Sequence, residues 1–248
     1  MQRVLDIDLD FFVEDPGFYV DIDQRLDATE HPVWSEAEIL DFLSDRCGIN
    51  GPLPGFVTEN HGELFPVWRD AIESGVLVPP FHVTHVDAHA DLGLGNSGYC
   101  HLLTELLFVD PADRRFPVTG DNGMNDGNWL LFALGCRWIG HLEYVFCDGA
   151  GGDELPFVMG DFDENSSHLQ LPAIEAEEIM NGLTRAGRPK VSHFEPPVSY
   201  RSMHHEESQT SEPFDFICLT RSPPYTPVTA DPLFEMIRRK FIVEELLS

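Results

Sequence analysis

Asp6-Ile7-Asp8-Leu9-Asp10-Phe11-Phe12 sets three carboxylates at alternate positions inside an apolar run near the first residue. Read as a strand over Val4–Asp10, it puts Asp6, Asp8 and Asp10 on one face, about 6.5–7 Å from one to the next. A second stretch, His85-Val86-Asp87-Ala88-His89-Ala90-Asp91, repeats the spacing with imidazoles among the carboxylates. Carboxylates crowded on one side of a buried strand repel one another unless cations sit between them. The first expectation is therefore a site for two metal ions.

Working outward, Ser35-Glu36-Ala37-Glu38 forms a capping box that opens a helix through about Arg46, with Gly48 as its stop. Gly55–Thr58 is a short strand running into Glu59-Asn60-His61. Glu63–Glu73 is a helix and Phe81–Val86 a strand that leads directly into Asp87. Further helices are expected at His101–Phe108, Trp129–Leu134, Ile174–Leu183 and Asp231–Leu247. Strands are expected at Leu142–Cys147, from Phe157 and at Phe214–Thr220, and Ser199–Ser211 reads as a polar surface loop. Alternation of strand and helix predicts an α/β fold: a mostly parallel sheet with helices on both faces. Ligands in such folds sit at the carboxyl ends of strands. Asp8 and Asp10, His61, and Asp87, His89 and Asp91 each fall at such an end.

The 248 residues, 42% hydrophobic, suffice for one core, so a single domain over residues 1–248 is expected. Residues 148–197 stand out as a lid or a substrate platform. The formal net charge of -28 argues against nucleic acid and against an anionic membrane surface. It suits a cationic small molecule or a basic peptide, although an acidic surface kept for solubility explains it equally. The five cysteines are scattered, with no C-x-x-C pair, and read as reduced thiols. No apolar run reaches the ~18 residues of a membrane span. Met1-Gln2-Arg3-Val4-Leu5-Asp6 lacks the apolar stretch of a secretion signal. A soluble, cytoplasmic chain is expected.

Four Asp and two His suit a pair of Mn²⁺ ions better than Zn²⁺ or Fe²⁺, because hard cations prefer carboxylate oxygens. Carboxylates that bridge can hold two ions about 3.5–4 Å apart, and water between them loses a proton near neutral pH.

Asp87-Ala88-His89-Ala90-Asp91 resembles the D-A-H-x-D motif of the arginase/agmatinase (ureohydrolase) superfamily. Asp8-Leu9-Asp10 with Asp15-Pro16 resembles its D-x-D-x-x-D-P element with a longer spacer. The D-L-D-F-F form, Glu59-Asn60-His61-Gly62-Glu63 with Trp68, Asn128-Trp129-Leu130 and the Thr220–Pro227 segment are similar to a divergent branch that includes peptide arginases. The resemblance implies a three-layer, arginase/deacetylase-like α/β/α fold. It implies one Mn²⁺ held by His61, Asp87, Asp91 and Asp8, and another by Asp87, His89, Asp8 and Asp10. Asp6 is then a buried supporting group, with Asp6 and Asp8 as the alternative ligand frame. The implied activity is hydrolysis of a guanidino group, an arginine side chain in a peptide giving ornithine and urea. The D-x-D strand precedes D-A-H-A-D here, the reverse of the arginase order.

His101 resembles a proton-shuttle histidine in its placement after the Asn96-Ser97-Gly98-Tyr99 loop, which makes Asn96 a substrate candidate. Glu59, Glu63 and Glu195 are candidates for guanidinium recognition or catalysis. Arg221 is expected either to pair with site carboxylates or to cap the last strand. Two other readings stay open: a Zn²⁺-dependent, deacetylase-like amidohydrolase, and a non-catalytic metal-binding protein.

Overall fold

Arg3–Asp8 forms β1, the strand on which the sheet is centred; Val4–Asp8 are all buried. The structure is a computed structural model and describes residues 1–248 except 19, 22, 94, 95, 121, 179–188, 211 and 246–248. After β1 come α1 (Glu36–Asp41), β2 (Leu53–Thr58), α2 (Leu64–Glu73), β3 (Phe81–Val86), α3 (Gly98–Thr104), α4 (Trp129–Gly135) and β4 (Ile139–Phe146). Short strands β5 (His168–Leu169), β6 (Pro172–Ile174) and β7 (Val191–Phe194) follow. The chain continues through β8 (Val198–His204), β9 (Phe216–Thr220), α5 (Asp231–Phe241) and β10 (Ile242–Glu245).

The main sheet has eight strands in the order β10-β2-β9-β1-β3-β4-β8-β5. All its pairings are parallel except that of β5 with β8. Its two faces are both apolar and both covered. Val4, Phe56, Phe81 and Val83 pack with Trp68 of α2 and Trp129 of α4. Leu5, Ile7, Ile217 and Leu219 pack with Ile39 of α1 and Phe234 and Ile237 of α5. This is the α/β, mostly parallel architecture the alternation predicts.

The strand order locates the site. The connection leaving β1 runs to β2 on one side, and the connection leaving β3 runs to β4 on the other. Connections diverge between β1 and β3, so a crevice opens at their carboxyl ends. The residues that follow these ends are Leu9-Asp10 and Asp87–Asp91.

Local structure follows the residues closely at several points. Ser35 Oγ accepts from Glu38 N at 3.3 Å and Glu38 Oε2 accepts from Ser35 N at 2.8 Å, the expected capping box. The helix it opens passes into a π turn at Phe42–Arg46, and Gly48 stops it with φ of +68°.

Five expectations are corrected. The first strand ends at Asp8, and Leu9–Phe12 is a 3₁₀ turn, so Asp10 reaches the site through a turn rather than along the strand face. The segment read as a polar loop from Ser199 is the inner strand β8, whose polar side chains face outward while Tyr200 and Met203 are buried. The last helix ends at Phe241, and Ile242–Glu245 turns back as edge strand β10 beside β2. Pro156–Val158 is a 3₁₀ turn rather than the start of a strand. The helix expected over Ile174–Leu183 begins with strand residue Ile174, and its second half lies outside the described residues.

Residues 148–197 supply β5 at the sheet edge and the β6–β7 ladder. Among the described residues no helix is long and apolar enough to cross a membrane.

Candidate metal centre

Three strand ends build the centre. β1 delivers Asp6 and Asp8, with Asp10 in the turn after it; Asp10 N donates to Asp8 Oδ1 at 3.2 Å. β2 leads through Glu59-Asn60 into a 3₁₀ turn that starts at His61. β3 ends at Val86, and the next residues carry Asp87, His89 and Asp91, with Asp91 at φ of +52°. Asp8, Asp10, His61, Asp87 and Asp91 are each at most 5% exposed.

His61 Nδ1 lies 3.0 Å from Asp8 Oδ2, 2.9 Å from Asp87 Oδ2 and 3.0 Å from Asp91 Oδ2. A single imidazole N–H cannot serve three acceptors. Neighbouring ligands of an octahedral ion with bonds of about 2.1 Å lie about 3.0 Å apart. Asp87 Oδ2 is buried, with the imidazole nitrogens of His61 and His85 at 2.9 and 3.3 Å. Three buried carboxylate oxygens converging at this spacing on one imidazole nitrogen fit a divalent cation.

A second group shares Asp87. His89 Nδ1 lies 3.0 Å from Asp10 Oδ2 and 3.6 Å from Asp87 Oδ1. His89 Nε2 lies 3.1 Å from the Gly17 carbonyl, which can only accept, so that nitrogen carries a proton. In the neutral ring the Nδ1 lone pair then faces two carboxylates, again the environment of a ligand to a cation. The donor sets Asp8, His61, Asp87 and Asp10, Asp87, His89 each bring their atoms within 4.8 Å of one another.

Surrounding groups hold these side chains in place. Asp6 oxygens lie 3.2 and 3.3 Å from His61 Nε2 and 2.8 Å from His85 Nδ1. His85 Nε2 lies 3.1 Å from the His89 carbonyl, so both ring nitrogens of His85 face acceptors. Trp129 Nε1 donates to Asp91 Oδ2 at 2.7 Å, and Ser222 Oγ donates to Asp8 Oδ2. Phe18 and Tyr225 pack edge-on against the His89 ring at 4.9 and 5.0 Å between centroids.

The electrostatics record the crowding in the metal-free protein. Burial and the charges of Asp8 and Asp87 raise the Asp10 pKa well above the carboxylate range. Burial and the charge of Asp87 push Asp91 up to about 6. Burial opposes ionisation of Asp87 as well, but hydrogen bonds from His61 and His89 hold its pKa below the usual range. Burial works against a charged His61, yet Asp6, Asp8 and Asp91 raise its pKa well above the ordinary value.

The cavity over the centre measures about 350 Å³, and Phe18, Asp126, Asp153 and Tyr225 join the ligand side chains in its wall. A larger cavity of about 660 Å³, lined by Glu14, Trp34, Phe42 and His205 among others, contains none of the ligand side chains.

The structure thus brings together all six side chains expected as ligands and places Asp6 beneath them. The other candidates lie elsewhere. His101 is on α3 with Nδ1 3.3 Å from Glu105, outside the cavity wall. Glu59 is exposed and pairs with Arg221 at 3.4 Å, and Arg221 also binds Asp231 at 2.9 Å. Glu63 accepts from Glu59 N and Asn60 Nδ2, both at 3.1 Å, and so braces the 3₁₀ turn that starts at His61. Asn96 donates to the Gly120 and Gly123 carbonyls and accepts from Asn128, so it braces a loop. Glu195 is held between Arg114 (2.9 Å) and Arg137 (2.6 Å), in a groove with Pro80 and Ile139 at the opposite end of the strands. Sequence reasoning gave no role to Asp153 or Asp126, which stand in no spacing that marks them, and read Tyr225 only as part of the Thr220–Pro227 segment; the fold brings all three to the cavity.

No family model matches the chain, and no curated protein matches it.

Proposed function

We propose that this chain is a two-metal hydrolase that cleaves a guanidino group, the side chain of arginine in a peptide being the substrate, to give ornithine and urea. The observation that carries the reading is the position of His61 Nδ1 within 3.0 Å of three carboxylate oxygens, beside a second group that shares Asp87. Helices on both sheet faces agree with the arginase/deacetylase-like arrangement that the motifs imply.

His61, Asp91, Asp8 and Asp87 would hold one ion; His89, Asp10, Asp8 and Asp87 the other. Bound there, two Mn²⁺ ions supply an activated water and a positive field for charge that develops on the substrate. The chain's own residues do the rest. Asp6 keeps the Nε2 proton on His61, and the Gly17 carbonyl keeps the Nε2 proton on His89, so each ring presents Nδ1. Trp129 and Ser222 fix the Asp91 and Asp8 carboxylates. Water adds to the guanidinium carbon, the C–N bond to the side chain breaks, and one amine and one urea leave. A single-ion, deacetylase-like site would leave the Asp10–His89 pair without a role.

The test is urea release by Mn²⁺-loaded protein from arginyl peptides, arginine and agmatine. Urea from the peptides that disappears on chelation and in Asp87→Ala is expected. No urea from any of the three overturns the guanidino assignment.

A further inference from the structure

The cavity of about 660 Å³ holds none of the ligand side chains, yet its walls also come from strand ends. Val13 follows the turn after β1, Cys147 and Asp148 follow β4, and His205 follows β8. β1, β3, β4 and β8 are parallel, so this cavity and the metal centre share one end of the sheet. Asp15 lines this cavity and Phe18 lines the other. Three residues of chain span at most about 11 Å, so one extended peptide can reach from wall to wall.

Two kinds of group build the cavity. Trp34, Phe42 and His205 form a box of rings. Their centroids are 5.1 Å apart for Trp34 and His205, 6.0 Å for Trp34 and Phe42 and 6.3 Å for Phe42 and His205, with interplanar angles of 61°, 89° and 68°. Burial and the neighbouring His204 lower the His205 pKa, so its ring is an uncharged wall at neutral pH. Seven carboxylates share the wall, Asp15, Asp41, Asp45 and Asp148 among them, against the single arginine Arg46 among the described residues. Carboxylates alone mark a solvated surface, and rings alone mark a patch of core. Around one cavity they suit a cation on an apolar stem: the rings take the methylenes and the charge, and the carboxylates supply the counter-charge. An anion is repelled, and a neutral apolar group leaves the carboxylates unused.

We infer that this cavity is a second binding site for the peptide substrate: it receives a lysine or arginine side chain that stands three to five residues from the arginine held at the metal centre. That separation is about 10–17 Å in an extended chain. The inference rests on the peptide reading above and gives it a physical basis, because free arginine cannot fill both cavities. The residue bound here is held and not cleaved, since no ligand side chain reaches it.

The test uses the Mn²⁺-loaded full chain and peptides with lysine or glutamine three, four or five residues to either side of one arginine. Binding is read by fluorescence anisotropy on labelled peptides in which neutral citrulline replaces the arginine, and turnover by urea release from the arginine peptides. The variants are Trp34→Leu, Asp41→Asn with Asp45→Asn, and Asp163→Asn with Glu164→Gln, the last removing the same charge from an exposed turn outside the wall. In wild type the best lysine peptide is expected to bind about 10-fold tighter than its glutamine counterpart. That preference is expected to fall about 3-fold or more in the Asp41, Asp45 variant, to vanish in Trp34→Leu and to persist in the Asp163, Glu164 variant. Lysine is expected to lower KM for urea release and to leave kcat unchanged. Tm is measured on each variant; if Trp34→Leu does not fold, the Asp41, Asp45 variant decides alone. No lysine preference in wild type overturns the inference, as does a preference kept in full by the Asp41, Asp45 variant or lost equally in the Asp163, Glu164 variant. Tighter lysine binding with no change in KM also overturns it, by making the cavity a cation site apart from the substrate's path. A lysine preference that follows the variants without urea release keeps the role of the cavity and removes the hydrolysis reading instead.

Discussion

Asp6 and His61 form a buried pair: the Asp6 carboxylate, 0% exposed, lies 3.2 Å from His61 Nε2 on the side of the ring away from the three ligand carboxylates. Such a pair fixes the tautomer and the orientation of a ligating imidazole and raises its basicity. Asp6 is thereby the lower layer of the centre and Asp8 the upper, although both belong to one strand face.

Asp6→Asn keeps the shape and removes the charge. Mn²⁺ affinity is expected to fall by about 10–100-fold, the usual effect of losing a partner behind a metal-bound histidine. Calorimetric titration of Mn²⁺ into chelator-treated protein checks this; unchanged affinity would show that Asp6 serves folding alone.

His85 gives the metal-free protein a pH dependence. Burial opposes its charge, but the hydrogen bond to Asp6 and the charge of Asp87 raise its pKa to about 9. The ordinary value is about 6.5, so the folded state keeps a proton that the unfolded chain releases. The stabilisation from this group is complete below about pH 6.5 and is lost as pH rises through about 9. The Tm of chelator-treated protein is therefore expected to fall from about pH 6.5 to about pH 9.5, by scanning calorimetry at fixed ionic strength. A Tm that rises over that window contradicts the pairing.

Glu195 tests the separation between stability and site. It is 3% exposed and bridges Arg114, 2% exposed, and Arg137. Glu195→Gln leaves Arg114 buried without its counter-charge, which is expected to cost about 3–5 kcal/mol in denaturant unfolding. Mn²⁺ stoichiometry of the folded fraction is expected to stay as in wild type, because Glu195 lies at the other end of the strands. A variant that folds normally but loses metal would place Glu195 in the centre after all.

The six positions that converge on the buried cluster were legible because local spacing carries them. Asp8 and Asp10 sit in an apolar run that cannot be a solvated edge, and Asp87, His89 and Asp91 follow a strand with no polar interruption between Val86 and the first carboxylate. His61 was legible through the strand before it and the helix after it. Asp153 was not, because it stands in a glycine-rich turn and reaches Ala90 only through long-range folding. Strand β8 was hidden by its composition: Ser199, Arg201 and Ser202 face outward, so apolar residues fill too few positions to mark a strand. β10 was hidden because the apolar residues after α5 extend the helical pattern, whereas pairing with β2 pulls Ile242–Glu245 into the sheet. His101, Asn96 and Glu195 carry donor or carboxylate chemistry suited to the role expected of them, yet each is satisfied by neighbours outside the cavity.

The most direct measurement is anomalous diffraction at the manganese edge from crystals grown with Mn²⁺. Two peaks about 3.5–4 Å apart are expected, one against His61 and Asp91, the other against His89 and Asp10, with Asp8 and Asp87 between them. A cavity without manganese density at saturating Mn²⁺, or peaks only at surface carboxylates, would contradict the two-ion centre.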